Sequence, residues 1–374
     1  IDGGDDFITL RSTVEGSGSD NVQQTGVKSI EGAGEHPIDF WIDFKGTIPE
    51  GATPRCAIVR VRYHNYTCEH DIFVRQGYAP ITINGNAESN NNPAWTSYNV
   101  YRFDANNAPV YTKSPLEEGS LFRRGNRTAI LASNNDRSGF TFGVEPTGSF
   151  NVLEFGSATT SQKTWSQLAP STDDVTNRFK EWSIAGDHER IATIEDFYTL
   201  ESTSIHSNIN KAYGVLYGDG ATETQKSVKE AFGYDHNEDP TNSKKGMRGC
   251  FVFNVNNSRN IFFPIGKSGY GRRKGMTSNG EKVGTLRYAQ RTDYYNNDGT
   301  GNIQYVPLFY DLFERPGAIY QCRNRLESTN NEVKNSSAFD INYFTMGFEG
   351  FENGASNNNN GSDSDACFIR TVKY

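Results

Sequence analysis

Residues 56–63, Cys56-Ala57-Ile58-Val59-Arg60-Val61-Arg62-Tyr63, set Ala57, Val59, Val61 and Tyr63 against Cys56, Ile58, Arg60 and Arg62. A period of two is the signature of a strand with one core face and one wet face. His64-Asn65-Tyr66 then turns the chain, and residues 67–76 return with Ile72-Phe73-Val74 as an apolar centre, ended by Gln76-Gly77. Ile38-Asp39-Phe40-Trp41-Ile42-Asp43-Phe44 supplies an earlier alternating strand. Together these predict an all-β module within residues 1–80.

The period changes at 193–200. Thr193 stands where an N-cap stands, Glu195 and Asp196 put negative charge on a first helical turn, and Asp196 lies at the capping-box position in place of the longer Glu or Gln. Ile194, Phe197, Tyr198 and Leu200 follow at helical spacing, so this helix needs an apolar partner. A second helix is expected at 223–232, capped by Thr222, with Val228, Ala231 and Phe232 facing inward. Cys250-Phe251-Val252-Phe253-Asn254-Val255 and Asn260-Ile261-Phe262-Phe263, joined at Asn256-Asn257, form the strongest hairpin pattern of the second half. Between the halves, the polar run from Asn84 to Pro93 predicts a linker over 81–94, or a long surface loop. The expected organisation is therefore an immunoglobulin-like β-sandwich at 1–80 and a second domain at 95–374. Insertions at 291–302, 326–335 and 352–365 carry no periodicity, and loops of that length are commonly functional.

Two resemblances refine this. Ile72-Phe73-Val74-Arg75-Gln76-Gly77 resembles the closing strand of BACON-type domains, which implies a spacer ahead of a ligand-binding or catalytic unit on an exported bacterial protein. No exposed aromatic platform with polar neighbours is read in this module, in keeping with a spacer. Arg190-Ile191-Ala192-Thr193 followed by Asp196-Phe197 resembles the Arg-Leu-Pro-Thr-x-x-Glu-Trp motif of bacterial C-type-lectin-like folds, with Ala192 where Pro is usual. These include the formylglycine-generating-enzyme-like proteins and the Fibrobacter succinogenes major paralogous domain. Phe263-Pro264-Ile265-Gly266 with Gly269-Tyr270-Gly271-Arg272, then Gly284-Thr285-Leu286-Arg287-Tyr288, then residues 367–373, are similar to later segments of the paralogous domain, and residues 114–126 to an early one. The resemblance implies a mainly β chain whose second domain is α+β and C-type-lectin-like. It also implies an extracellular or outer-membrane surface location.

The charge narrows the partners. A formal net charge of -8 over 374 residues opposes sequence-independent binding to nucleic acid, which needs an electropositive face. No apolar run approaches the roughly 18 residues of a membrane span. Residues 1–6 read as a flexible leader, compatible with a cleaved or lipid-anchored exported protein. Cys56, Cys68, Cys250, Cys322 and Cys367 are odd in number and widely spaced, so buried structural thiols are expected, with no disulfide framework or zinc site.

No catalytic residue, metal ligand or cofactor is expected. Glu238-Asp239-Pro240-Thr241-Asn242 departs from the Glu-Pro-Asn tripeptide of sugar-binding lectins, and residues 293–299 fail EF-hand spacing. No G-x-S-x-G is present, and the six His have no neighbouring nucleophile. The one dense basic cluster, around Tyr270, Arg272 and Arg273, could grip an acidic glycan through bidentate arginine contacts, with Tyr288, Tyr294 and Tyr295 as stacking surfaces; a solvated turn beside core strand tyrosines is the plainer reading. These six residues are the candidate ligand site. The expected function is adhesion, binding a glycan or surface protein, with fimbrial assembly partners. The competing readings are a carbohydrate-active or formylglycine-type enzyme, signalled by two carboxylates roughly 5–9.5 Å apart in one cleft, and a structural pilus or spacer subunit, signalled by a long unpaired edge groove able to accept a donor strand.

Overall fold

The computed structural model describes residues 1, 3–15, 21–31, 39–113, 115, 117–123, 126–131, 148–169, 188–200, 208–216, 247–264, 319–321, 338–340 and 366–374. Over these the chain is mainly β, and every pairing between named strands is antiparallel. The second expected helix, at 223–232, and the three insertions lie outside the described residues.

At the N-terminus, β1 (Ile8–Glu15) runs between β2 (Asn21–Val27) and β3 (Asp39–Phe44). The expected hairpin forms from β4 (Arg55–Tyr63) and β5 (Cys68–Gln76), in register from Arg55 opposite Gln76 to Tyr63 opposite Cys68. Its turn places His64, Asn65 and Tyr66 in succession at φ 51, 53 and 65°, a left-handed run uncommon for residues with a Cβ. Phe7, Ile8 and Leu10 pack against Ala57, Val59 and Val74, so the three-stranded sheet and the hairpin close over one small core.

The next strands are β6 (Ile81–Thr82), β7 (Ala94–Trp95), β8 (Val100–Phe103), β9 (Pro109–Tyr111), β10 (Ser120–Arg123), β11 (Ala129–Leu131), β12 (Ser149–Leu153) and β13 (Thr160–Thr164). They are followed by β14 (Glu189–Ile191), helix α1 (Ile194–Tyr198), β15 (Ile209–Leu216), β16 (Met247–Asn254), β17 (Asn260–Pro264), β18 (Ile319–Gln321), β19 (Ala338–Asp340), β20 (Ala366–Cys367) and β21 (Thr371–Lys373). A five-stranded sheet has the order β13-β12-β11-β10-β20, and a four-stranded sheet the order β14-β21-β7-β6. A third has the order β15-β16-β17. The four-stranded sheet is covered on both faces, since Trp95 and Val372 enter the largest core while Ile191 enters a second one with Val100, Phe103 and Phe122. Aromatic rings set the geometry of the largest core: the Trp95 ring centroid lies 4.9 Å from Phe197 and 5.9 Å from Phe263, and Phe263 lies 5.4 Å from Tyr320.

The stretch 81–94 opens and closes in paired strand, Ile81 opposite Trp95 and Thr82 opposite Ala94, with Ile81 and Ile83 in the largest core. Only its middle is a surface loop. The hairpin also departs from the one-wet-face pattern: Cys56 and Ile58 are as buried as Ala57 and Val59. Cys56 joins the largest core, and Phe73, opposite Ile58, stacks on Phe251 of β16 at 4.8 Å and 10°. The base of the hairpin is thus wedged between the N-terminal sheet and β16–β17.

Two guanidinium groups complete that wedge. Asn254 N–H donates to Arg259 O, which fixes the phase of the β16–β17 ladder and turns the carbonyls of Asn260 and Phe262 to the side away from β16. Arg75 donates to Asn260 O at 3.0 Å, and also to Gly77 O, Ala79 O and Ser97 Oγ. Arg370 donates to Phe262 O at 3.1 Å, to Thr96 O and to Asn99 Oδ1, with its plane over the Phe263 ring. Among the described residues no strand covers these carbonyls; arginine side chains do.

On β16, Gly249 stands opposite Gly214, and a Cβ there would meet two Phe262 ring carbons at 2.3 Å and Phe263 O at 2.5 Å. Gly249→Ala should therefore cost about 1–3 kcal/mol, as overpacking does. Gly214→Ala, whose Cβ would sit at an ordinary 3.6 Å from Phe251, should cost less. Urea midpoints of the two variants check the ranking.

Candidate functional site

Tyr270, Arg272, Arg273, Tyr288, Tyr294 and Tyr295, the ligand residues expected from sequence, all lie outside the described residues. Among the described residues no group of three or more His, Cys, Asp or Glu is placed to hold a metal. No helix of the described residues is long and apolar enough to cross a membrane. Cys56 and Cys250 are buried, and burial pushes the Cys56 pKa up, away from reactivity; Cys68 is only half-buried.

The motif around Arg190 folds as the cap pattern predicts. Thr193 Oγ1 accepts from Asp196 N–H at 3.1 Å, and Asp196 Oδ2 accepts from Thr193 N–H at 2.8 Å, so the capping box is complete. The same carboxylate takes Arg190 on both oxygens, at 3.1 and 2.7 Å. Arg190 also reaches Asn90 Oδ1 at 2.9 Å and Asn90 O at 3.2 Å, and its plane covers the Tyr374 ring at 4.3 Å. One ion pair therefore ties the helix start, β14, the 84–93 loop and the C-terminal residue together. Phe197 and Leu200 are buried, as the spacing predicts, whereas Tyr198 is exposed.

A second polar cluster joins β9, β14 and β21. Glu189 Oε1 accepts from Tyr111 and, at 2.8 Å, from Thr371 Oγ1. Burial and the Glu189 charge push the Tyr111 hydroxyl well above its ordinary pKa, so it acts as a donor and not as a base. These internal groups have their hydrogen bonds within the fold, and their chemistry is that of fasteners.

The outward face of the β2-β1-β3 sheet is different. Arg11 stands directly opposite Trp41 on one side and Thr25 on the other, and Thr9 opposite Asp43. Arg11 and Asp43 are thus diagonal neighbours on one face, close enough for side chains to meet. The guanidinium donates to Asp43 Oδ2 at 3.2 Å and Oδ1 at 3.4 Å, and its centre lies 4.5 Å over the indole of Trp41. Trp41 remains 41% exposed. The arginine fixes the orientation of the indole through a cation–π contact while the carboxylate fixes the arginine. This is an exposed aromatic with polar neighbours, in a module where none was read. The signal was present: Trp41 shares its parity on β3 with Asp39 and Asp43, which places it on the wet face.

No family model matches the chain, and no curated protein or solved structure matches it either.

The capping network yields a graded expectation. Asp196→Ala leaves the buried Arg190 charge without its carboxylate and should cost about 3–5 kcal/mol. Thr193→Ala removes only the cap and should cost about 0.5–2 kcal/mol. Chemical denaturation of both variants measures the difference; equal losses would mean that the ion pair adds nothing beyond the cap.

Proposed function

We propose that this chain is an exported cell-surface protein that acts by binding a glycan, with Trp41 as the stacking surface. The observation that carries the reading is the immobilised indole on an otherwise polar sheet face. A sugar ring offers one apolar face of C–H groups and a rim of hydroxyls. An exposed indole suits the first, and Arg11, Asp43, Thr9 and Thr25 around it suit the second. Holding the indole in place beforehand reduces the entropy lost on binding.

In this reading the N-terminal strands form an immunoglobulin-like, BACON-type module that binds ligand as well as spacing it from the surface. The remainder is a C-type-lectin-like domain, and the Arg190–Asp196 pair at its helix start is a structural counterpart of the motif that suggested it. The basic and tyrosine-rich segment around Tyr270, Arg272, Arg273, Tyr288, Tyr294 and Tyr295 is a second ligand surface in the same reading. An enzymatic role has less support, because the polar clusters described inside the fold are engaged in holding segments together.

An oligosaccharide array containing neutral and acidic glycans tests this, followed by titration of the best ligand against variants. Trp41→Ala should weaken binding about 10-fold or more, a loss of roughly 1.4 kcal/mol, with an unchanged melting temperature. Binding that survives Trp41→Ala but falls with Arg272→Ala would move the site to the second surface. An array with no ligand would overturn the glycan reading.

A further inference from the structure

The edge of β3 carries an inference that does not depend on glycan binding. Among the described residues, in the order β2-β1-β3, this strand pairs only with β1. Lys45 N–H donates to Phe7 O, so residues 39, 41, 43 and 45 turn their backbone groups towards β1. Those of Phe40, Ile42 and Phe44 turn the other way, and among the described residues they meet no partner.

Natural edge strands are usually blunted by a lysine, a proline, a bulge or an inward-pointing charge. Asp39–Phe44 (DFWIDF) contains no lysine, proline or bulge, and its register with β1 runs without a shift; its two charges, Asp39 and Asp43, alternate with Phe40, Ile42 and Phe44. Its side chains are rich in the aromatic and β-branched types that suit strands. Phe44 is 53% exposed, and Phe40 and Ile42 are only partly buried against the small N-terminal core. The edge offers backbone hydrogen bonds and apolar surface together, which is the requirement for strand addition.

The sequence of the strand also indicates the occupant. In an antiparallel pairing of β3 with β3 of a second copy, centred on Ile42, the outward-turned residues meet one another, Ile42 opposite Ile42 and Phe40 opposite Phe44. The same register sets Asp39 opposite Lys45 at both ends and Trp41 opposite Asp43. Lys45 already holds Asp6 at 2.8 Å, but Asp6 keeps Lys28 as well, so Lys45 can be shared. A displacement by two residues in either direction leaves an outward-turned residue unpaired.

We propose that two copies of this chain associate edge to edge through β3, extending the N-terminal sheet to six strands, three from each copy. The interface is isologous, with one two-fold axis beside Ile42. A ladder this short buries less than a standard interface, so association is weak and depends on concentration.

Sedimentation velocity of the full chain across a concentration series tests the proposal. A monomer–dimer equilibrium is expected. Ile42→Pro removes an outward N–H that the β1–β3 ladder does not use, and should abolish the dimer while leaving the monomer's circular dichroism unchanged. Phe44→Lys, at an exposed side chain, should shift dissociation at least 10-fold and supplies the answer if the proline variant misfolds. Asp39→Lys should weaken the dimer, and adding Lys45→Asp should restore it, which no other register accounts for. A wild-type chain that stays monomeric throughout overturns the proposal, as does a dimer indifferent to Ile42→Pro and Phe44→Lys. If Ile42→Pro keeps its glycan affinity while losing the dimer, association and glycan binding are separate properties.

Discussion

The carbonyls on the outer side of β17 are the constraint around which the described fold is arranged. A backbone carbonyl shut away from water without a donor costs free energy comparable to a lost hydrogen bond. Here, among the described residues, no strand supplies the donors for Asn260 and Phe262; Arg75 and Arg370 do. Each guanidinium has five N–H groups in a fixed plane and satisfies several acceptors at once. Arg75 therefore binds β17 to the end of the N-terminal hairpin and the following turn, and Arg370 binds it to the segment around Thr96 and Asn99. Arg370 is completely buried, and its acceptors among the described residues are neutral. Burial lowers its pKa, yet arginine stays charged, so the neutral acceptors and the faces of Phe263 and Tyr320 offset the loss of water.

The same side chain type serves the opposite purpose on the outer sheet. Arg11 is only partly buried, has a carboxylate partner, and holds an indole that remains open to solvent. Inside, the arginines are consumed in closing the fold. Outside, the arginine prepares a surface. That contrast is the basis of the binding proposal.

Much of the fold was legible because it rests on period. The β4–β5 and β16–β17 hairpins, the β3 alternation and the Thr193–Asp196 cap all follow from local spacing. The double burial of β4 was not legible, because Cys56 joins a core that includes Cys250, Val252 and Ile261 of strands far along the chain, and Phe73, opposite Ile58, stacks on Phe251. Nor were β6 and β7, whose two residues each are too few to show a period. Arg75 and Arg370 are polar residues at strand ends, and pattern alone assigns such residues to solvent. The Trp41 face was legible by parity, since Trp41 alternates with Phe40 and Ile42 and shares its face with Asp43.

The N-terminal hairpin and the β16–β17 hairpin, fastened by Arg75 and by Phe73 on Phe251, are expected to open as one cooperative unit. Native-state hydrogen exchange measures this directly. The amides in the β4–β5 ladder around Ile58 and Val59 should share one opening free energy with those of Val252 and Ile261, and Arg75→Met should lower all of them together. Distinct opening energies for the two hairpins, with Arg75→Met affecting only the N-terminal set, would contradict the account.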